Sequence, residues 1–230
     1  MRAPSRLLSL VGVLGLSLAL AACASAPQAS GASQSPSPAA SADAAPSPSP
    51  TPTAEPEPDA IVVSSAGIAL ERADETEWAT YDDPDAVVQL VTGATGSAPE
   101  YTHEEHWGAE TGYDFGPRDL YEWAGFSVSV NGERASVAVD AAATGGIGIR
   151  TDAGVAVGSD REVVVAAGAW DEWDSDGDGA ADYLGLDPLE VPGTTSLTRP
   201  DAVGILYVLL VMDGDVVRQI QAPGNDFSDL

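Results

Sequence analysis

Residues 121–139 read Tyr-Glu-Trp-Ala-Gly-Phe-Ser-Val-Ser-Val-Asn-Gly-Glu-Arg-Ala-Ser-Val-Ala-Val. Phe126, Val128 and Val130 alternate with serines, and Ala135, Val137 and Val139 alternate on the far side of Asn131-Gly132. A period of two places apolar side chains on one face of a strand, and an Asn-Gly pair between two such runs is a strong tight-turn signal, so a β-hairpin is expected. The inward phase changes between Tyr121/Trp123 and Phe126, for which a bulge near Ala124-Gly125 accounts within one strand from Tyr121 to Val130.

Toward the C-terminus, Ile147 to Val157 reads as a short hairpin, and Ser159-Asp160-Arg161-Glu162 fits a capping box opening a helix through Ala167 and closed by Gly168. Tyr183 to Leu189 is a strand candidate. Val203 to Met212 is an almost continuous apolar run of ten residues, short for a membrane span and suited to a strand covered on both faces. Asp213-Gly214 turns the chain into Val216 to Gln221.

Toward the N-terminus, Ile61 to Leu70 reads as a strand. Asp83 caps a helix with Pro84 at its first position, Val87, Val88 and Val91 share one face, and Gly93 or Gly96 stops it. Each half thus reads as strand, short helix and antiparallel pair. The expected fold is α+β, an antiparallel sheet with two short helices packed on it, in two similar halves at 59–143 and 144–230. Over residues 61–222 this order resembles the β-lactamase-inhibitor-protein-like repeat and the small outer-membrane lipoprotein domain. That resemblance implies a module that binds or assembles with a partner and does not catalyse; no contact residue carries over, because no position matches a motif.

The sharpest local pattern is Asp174-Ser175-Asp176-Gly177-Asp178-Gly179-Ala180-Ala181-Asp182. Oxygen ligands at positions 1, 3, 5 and 9, with glycine at 6, are what an EF-hand-like calcium loop requires, making Asp174, Asp176, Asp178 and Asp182 candidate Ca²⁺ ligands. The loop resembles those of dockerins and thrombospondin-type repeats. Position 12, which supplies a bidentate carboxylate there, is Gly185 here, and Asp187 comes two residues late. A weak site of the extracellular class, with a Kd of about 10⁻⁴ to 10⁻³ M, is the expectation. The alternative is a solvated acidic turn.

His103-Glu104-Glu105-His106 lacks the extra residue of the His-Glu-x-x-His zinc-protease motif, and a polar loop is expected there. Trp107, Tyr113, Phe115, Tyr121 and Trp123, and later Trp170 and Trp173, read as core or, where exposed, as surfaces for a sugar or protein partner. The chain has no Gly-x-Ser-x-Gly elbow, no lysine for a Ser-x-x-Lys pair, and one cysteine, so a non-enzymatic protein is expected.

Formal net charge is −27, and all nine basic residues are arginine. Such a surface repels nucleic acid and anionic headgroups and favours divalent cations or basic partners. The lysine-free, Ala/Gly/Asp/Val-rich composition resembles that of high-GC Gram-positive proteins.

Residues 24–58 contain Ala, Ser, Pro, Thr, Gln, Gly and a few acids, with no apolar side chain larger than alanine. Nothing there offsets the entropy of ordering, and the frequent prolines favour an extended spacer reaching about 110 Å at roughly 3.1 Å per residue. Its Ser-Pro and Thr-Pro steps are candidate O-glycan carriers.

Before it, Arg2 and Arg6 flank an apolar run from Leu7 to Leu20, too short for the roughly 20 residues of a transmembrane helix and suited to a signal peptide over 1–22. The run ends in Leu20-Ala21-Ala22-Cys23, which resembles the lipobox of bacterial lipoproteins. The resemblance implies cleavage before Cys23 and a diacylglycerol joined to its sulfur. Each buried CH₂ contributes about 0.8 kcal/mol, so two acyl chains hold a protein stably at a membrane. The expected organisation is a signal peptide at 1–22, lipidated Cys23 and tether over 23–58, and one globular region over 59–230 on the extracytoplasmic face of the cell membrane. The partners expected are the membrane, reached through lipid with no transmembrane helix in the mature chain, and a protein or cell-wall component.

Overall fold

A computed structural model describes residues 59–228; the expected signal peptide, Cys23 and the expected tether lie outside them. The described residues are mainly β, with thirteen strands in two sheets, two α-helices and one short 3-10 turn. The expected antiparallel pairing is present, but strands far outnumber helices and divide between two sheets.

The first sheet holds β1 (Ala60–Val63), β2 (Gly67–Glu71), β3 (Thr76–Thr80), β8 (Ala143–Thr144) and β9 (Ile147–Thr151), in the order β3-β2-β1-β9-β8. Only β1 and β9 run parallel, with Ile61 opposite Ile149. The second sheet holds β4 (Glu100–Glu104), β5 (Arg118–Trp123), β6 (Phe126–Asn131), β7 (Arg134–Val139), β10 (Trp170–Trp173), β11 (Tyr183–Glu190), β12 (Ile205–Asp213) and β13 (Val216–Asn225). Its order, β10-β11-β12-β13-β7-β6-β5-β4, is two four-stranded meanders joined at their last strands, where Ile220, Gln221 and Ala222 face Val139, Ala138 and Val137.

One apolar cluster serves both sheets: Ile61, Ile68 and Leu70 from the first lie with Phe126, Val137, Leu184, Leu210 and Ile220 from the second. α1 (Pro84–Thr95) packs against β2 and β3 of one sheet and β6 and β7 of the other, burying Val87, Leu90 and Val91. Its start is as the sequence predicts: Asp83 accepts the Ala86 N–H at 3.1 Å, satisfying one of the helix's unpaired first donors, and Pro84 needs none. Gly96 ends it at φ +64°, a conformation glycine adopts without a Cβ clash. α2 (Arg161–Ala166) is six residues long and buries Val164.

Four local expectations are corrected. Ile61 to Leu70 is a hairpin, β1 and β2, broken at Ser64–Ala66, where the Ser64 N–H bonds the Gly67 carbonyl at 3.0 Å. Tyr121 to Val130 is likewise a hairpin: Trp123 pairs with Phe126, so Ala124-Gly125 is a two-residue turn, with Gly125 at φ +75°. A turn, like a bulge, changes the inward phase, so alternation alone cannot separate them. Ile147 to Val157 contributes only β9, flanked by β1 and β8, and the chain then turns with the Thr151 N–H on the Val155 carbonyl at 2.8 Å. Asp160, not Ser159, is the N-cap of α2 and makes no side-chain cap bond, and the Ser159 Oγ accepts the Ala156 N–H at 3.0 Å in place of a helix N–H. The long apolar run agrees with its reading: in β12 only Leu209 and Asp213 are not buried.

Candidate functional site

β10 is an edge strand, and its pairing with β11 is irregular. Trp170 faces Gly185, Asp171 faces Leu184 and Trp173 faces Tyr183, which leaves Glu172 as the extra residue of a bulge. A bulge re-aims a side chain. Here the Glu172 carboxylate accepts the Trp170 indole N–H at 2.7 Å and lies close enough to the Tyr207 hydroxyl of β12 to raise its pKa. The two rings lie 5.7 Å apart, tilted by 59°.

Gly185 makes this possible, because a Cβ there would stand 2.2 Å from the Trp170 ring. The indole therefore rests on bare backbone. Burial, then the carboxylates of Glu172 and Asp226, push the Tyr207 phenol up to about 12, so it remains a neutral donor at neutral pH.

A second group of residues comes from the segments after β11 and β13. Asp226, whose side chain is only 3 % exposed, accepts from Ser196 Oγ at 2.6 Å, the Ile205 N–H at 2.6 Å and Arg199 Nη2 at 3.0 Å. Burial alone would raise its pKa, and these donors outweigh burial and leave it lowered. A pocket of about 310 Å³ is lined by residues of both groups, Trp170 and Glu172 with Arg199 and Asp226, together with Pro188 and Ile205. The sequence reading singled out Trp170 as an aromatic near the acidic loop. It missed the pocket, because Arg199, Ile205 and Asp226 reach it from distant segments.

The acidic loop connects β10 to β11, so it joins two strands and has no exiting helix. Asp174, Asp176 and Asp182 each offer an oxygen within 4.8 Å of the others'. Asp178, the fourth expected ligand, is not part of that group; its carboxylate accepts the Ala180 N–H at 2.8 Å. Asp174 accepts from the Gly177 and Gly179 N–H groups at 2.7 and 3.0 Å, and Asp182 accepts from the N–H and hydroxyl of Ser175. These Ser175 bonds come first among the causes that lower the Asp182 pKa, with the Arg161 cation a lesser one. Gly185 lies under Trp170 and Asp187 bonds Ser65, so neither completes the ligand set at position 12.

The two histidines part company. His103 Nδ1 on β4 is 2.7 Å from Asp119, which also accepts the Tyr101 hydroxyl at 2.8 Å, while His106 Nδ1 is 2.9 Å from Asp114. The aromatics divide too. Tyr121 and Trp123 pack partly buried on the core, Trp107 lies 5.0 Å from Phe115 with the Arg118 guanidinium 4.6 Å above its ring, and Tyr113 is 70 % exposed. Trp173, also exposed, stacks on Tyr183 at 5.5 Å.

No family model matches the chain, and neither a curated protein nor a solved structure shows significant similarity to it. Among the described residues, no helix is long and apolar enough to cross a membrane.

Proposed function

We propose that the chain is a lipid-anchored extracytoplasmic protein that displays a non-catalytic binding module on a tether, with the pocket beside β10 as its binding seat. The pocket carries the reading: an indole seated on Gly185 and oriented by Glu172 is a prearranged apolar wall beside fixed polar groups, the usual make-up of a small-ligand site. The anchoring rests on Leu20-Ala21-Ala22-Cys23 and the spacer that follows. Cleavage before Cys23 would remove two arginines and no acid, leaving seven arginines against 36 acids and favouring cationic ligands.

The anchoring is tested by mass spectrometry of the mature N-terminus, with Cys23→Ala expected to release the protein from the membrane fraction. The seat is tested by following the Trp170 indole resonance against amines, sugars and carboxylates; no saturable shift from any of the three would remove it.

The halves 59–143 and 144–230 are proposed to be a duplication. Each supplies strands to the first sheet, then a helix, then a four-stranded meander, β4–β7 or β10–β13. Superposition of α1–β7 on α2–β13 tests this, and a mismatch of strand direction or register would end it.

A second reading, a calcium-dependent structural module of the envelope, is favoured by the convergence of Asp174, Asp176 and Asp182. Calorimetry with Ca²⁺ tests it; absence of heat at millimolar calcium would dismiss it.

A further inference from the structure

The chemistry of the pocket's walls selects among ligands, on the reading that it is the binding seat. Three acids border it, Asp171, Glu172 and Asp226, against one cation, Arg199. Arg199 is committed to Asp226 at 3.0 Å, which cancels one charge of each sign. Asp171 has no hydrogen-bond or ion-pair partner among the described residues, and Glu172 faces only neutral groups, the Trp170 indole N–H that it accepts and the nearby Tyr207 hydroxyl. Two negative charges therefore border the pocket without a cation to balance them.

An anionic ligand would meet those charges with no free guanidinium to answer them. A neutral ligand would leave them unused. A bare metal ion would be undersized for about 310 Å³ and would leave the indole, Pro188 and Ile205 without a partner. An organic cation satisfies every wall: its charge is attracted by the ring face and by the two carboxylates, and its carbon body fits Pro188 and Ile205. The chain's net charge of −27 raises the local concentration of such ions before they reach the pocket.

We propose that the β10 pocket binds a small organic ammonium ion, with the cation against Trp170 and with Asp171 and Glu172 as its counter-charges. Asp171 is the informative residue, because nothing in the fold depends on its charge. Asp171→Asn removes a counter-charge and leaves the packing alone, whereas Glu172→Gln also alters the bonds that hold Trp170.

The test compares choline with 3,3-dimethyl-1-butanol, its uncharged isostere, on the ¹⁵N-labelled full chain, read at the assigned indole N–H resonance of Trp170. Choline is expected to shift that resonance saturably and to bind about tenfold more tightly than the isostere. Asp171→Asn should weaken choline about threefold or more with the remaining spectrum unchanged, and Trp170→Ala should abolish the saturable response elsewhere in the pocket.

Equal affinity for choline and the isostere would overturn the ammonium assignment while leaving a binding seat in place. A response to a neutral sugar such as N-acetylglucosamine, with none to choline, would have the same meaning. Silence toward choline, the isostere, the sugar and acetate alike would remove both the assignment and the binding seat.

Discussion

Asp187 Oδ2 accepts two hydrogen bonds from Ser65, one from its backbone N–H at 2.8 Å and one from its hydroxyl at 2.9 Å. The contact spans 122 residues of sequence and fastens the β1–β2 turn of the first sheet to an irregularity in β11 of the second. Asp187 takes a φ of +57° to do so, a conformation that costs a non-glycine residue roughly 1–2 kcal/mol. Ser65 is buried at 2 % exposure, so its two donors have no easy recourse to water.

Asp187→Ala is therefore expected to lower unfolding free energy by about 2–3 kcal/mol, since it strands two buried donors and keeps the backbone cost. Asp187→Gly should recover about 1 kcal/mol of that loss by relieving the positive φ. Urea denaturation of the three proteins measures both differences; equal stability of the alanine and glycine variants would contradict the strain argument.

Gly185→Ala tests the seat of Trp170. The new methyl would overlap the indole at 2.2 Å, so the ring must leave its bond to Glu172. A loss of about 1–3 kcal/mol is expected, together with a changed emission spectrum as Trp170 moves toward water. An unaltered spectrum would show that the ring does not rest there.

The pair His103–Asp119 predicts a pH dependence. The Asp119 hydrogen bond is the main cause raising the His103 pKa above 6.5, and the His103 bond is the main cause lowering that of Asp119 below 3.8. A raised histidine pKa contributes stability that is complete below 6.5 and disappears as pH climbs through the folded-state value. A lowered aspartate pKa contributes stability that is complete above 3.8 and disappears as pH falls through its own folded-state value. The contact is thus strongest between about pH 4 and 6.5. An NMR titration of His103 should give a midpoint above 6.5 that drops in Asp119→Asn; an unchanged midpoint would remove the coupling.

In the acidic loop, Asp174 and Asp176 have separable roles. Asp174 bonds two backbone N–H groups, so Asp174→Ala should destabilise the metal-free protein by about 1 kcal/mol. Asp176 holds only the adjacent Asp178 N–H, so Asp176→Asn should leave the metal-free melting temperature nearly unchanged and remove any rise produced by millimolar Ca²⁺. Scanning calorimetry with and without calcium distinguishes the two; a calcium-induced rise that survives in Asp176→Asn would place the ion elsewhere.

Local signals were legible where they are self-contained. Asp83-Pro84 starts α1, Asn131-Gly132 opens the β6–β7 turn, and the alternation of Ala135, Val137 and Val139 is the buried face of β7. The β1–β2 break was not legible, because Ile61–Val63 and Ile68–Leu70 are equally apolar and the intervening turn is held partly by Asp187, far along the chain. β4 carries Glu-Tyr-Thr-His-Glu with every residue but Glu104 exposed, so it has no apolar period to read. The acidic loop announced three of its converging carboxylates by spacing alone. The pocket did not announce itself, because the meander order that brings β10 near β12 and the segment around Asp226 is a property of the assembled sheet.

The placement of β13 bears on when the larger sheet can close. β13 comes last among the described strands, yet it sits in the middle of the larger sheet, between β12 and β7. The eight-stranded sheet is two disconnected pieces until residues 216–225 arrive, and long-range strand pairing is slow. A chain synthesised N-terminus first therefore holds its larger sheet in two parts until its last strand is made. Closure of the domain waits for the final hairpin to emerge.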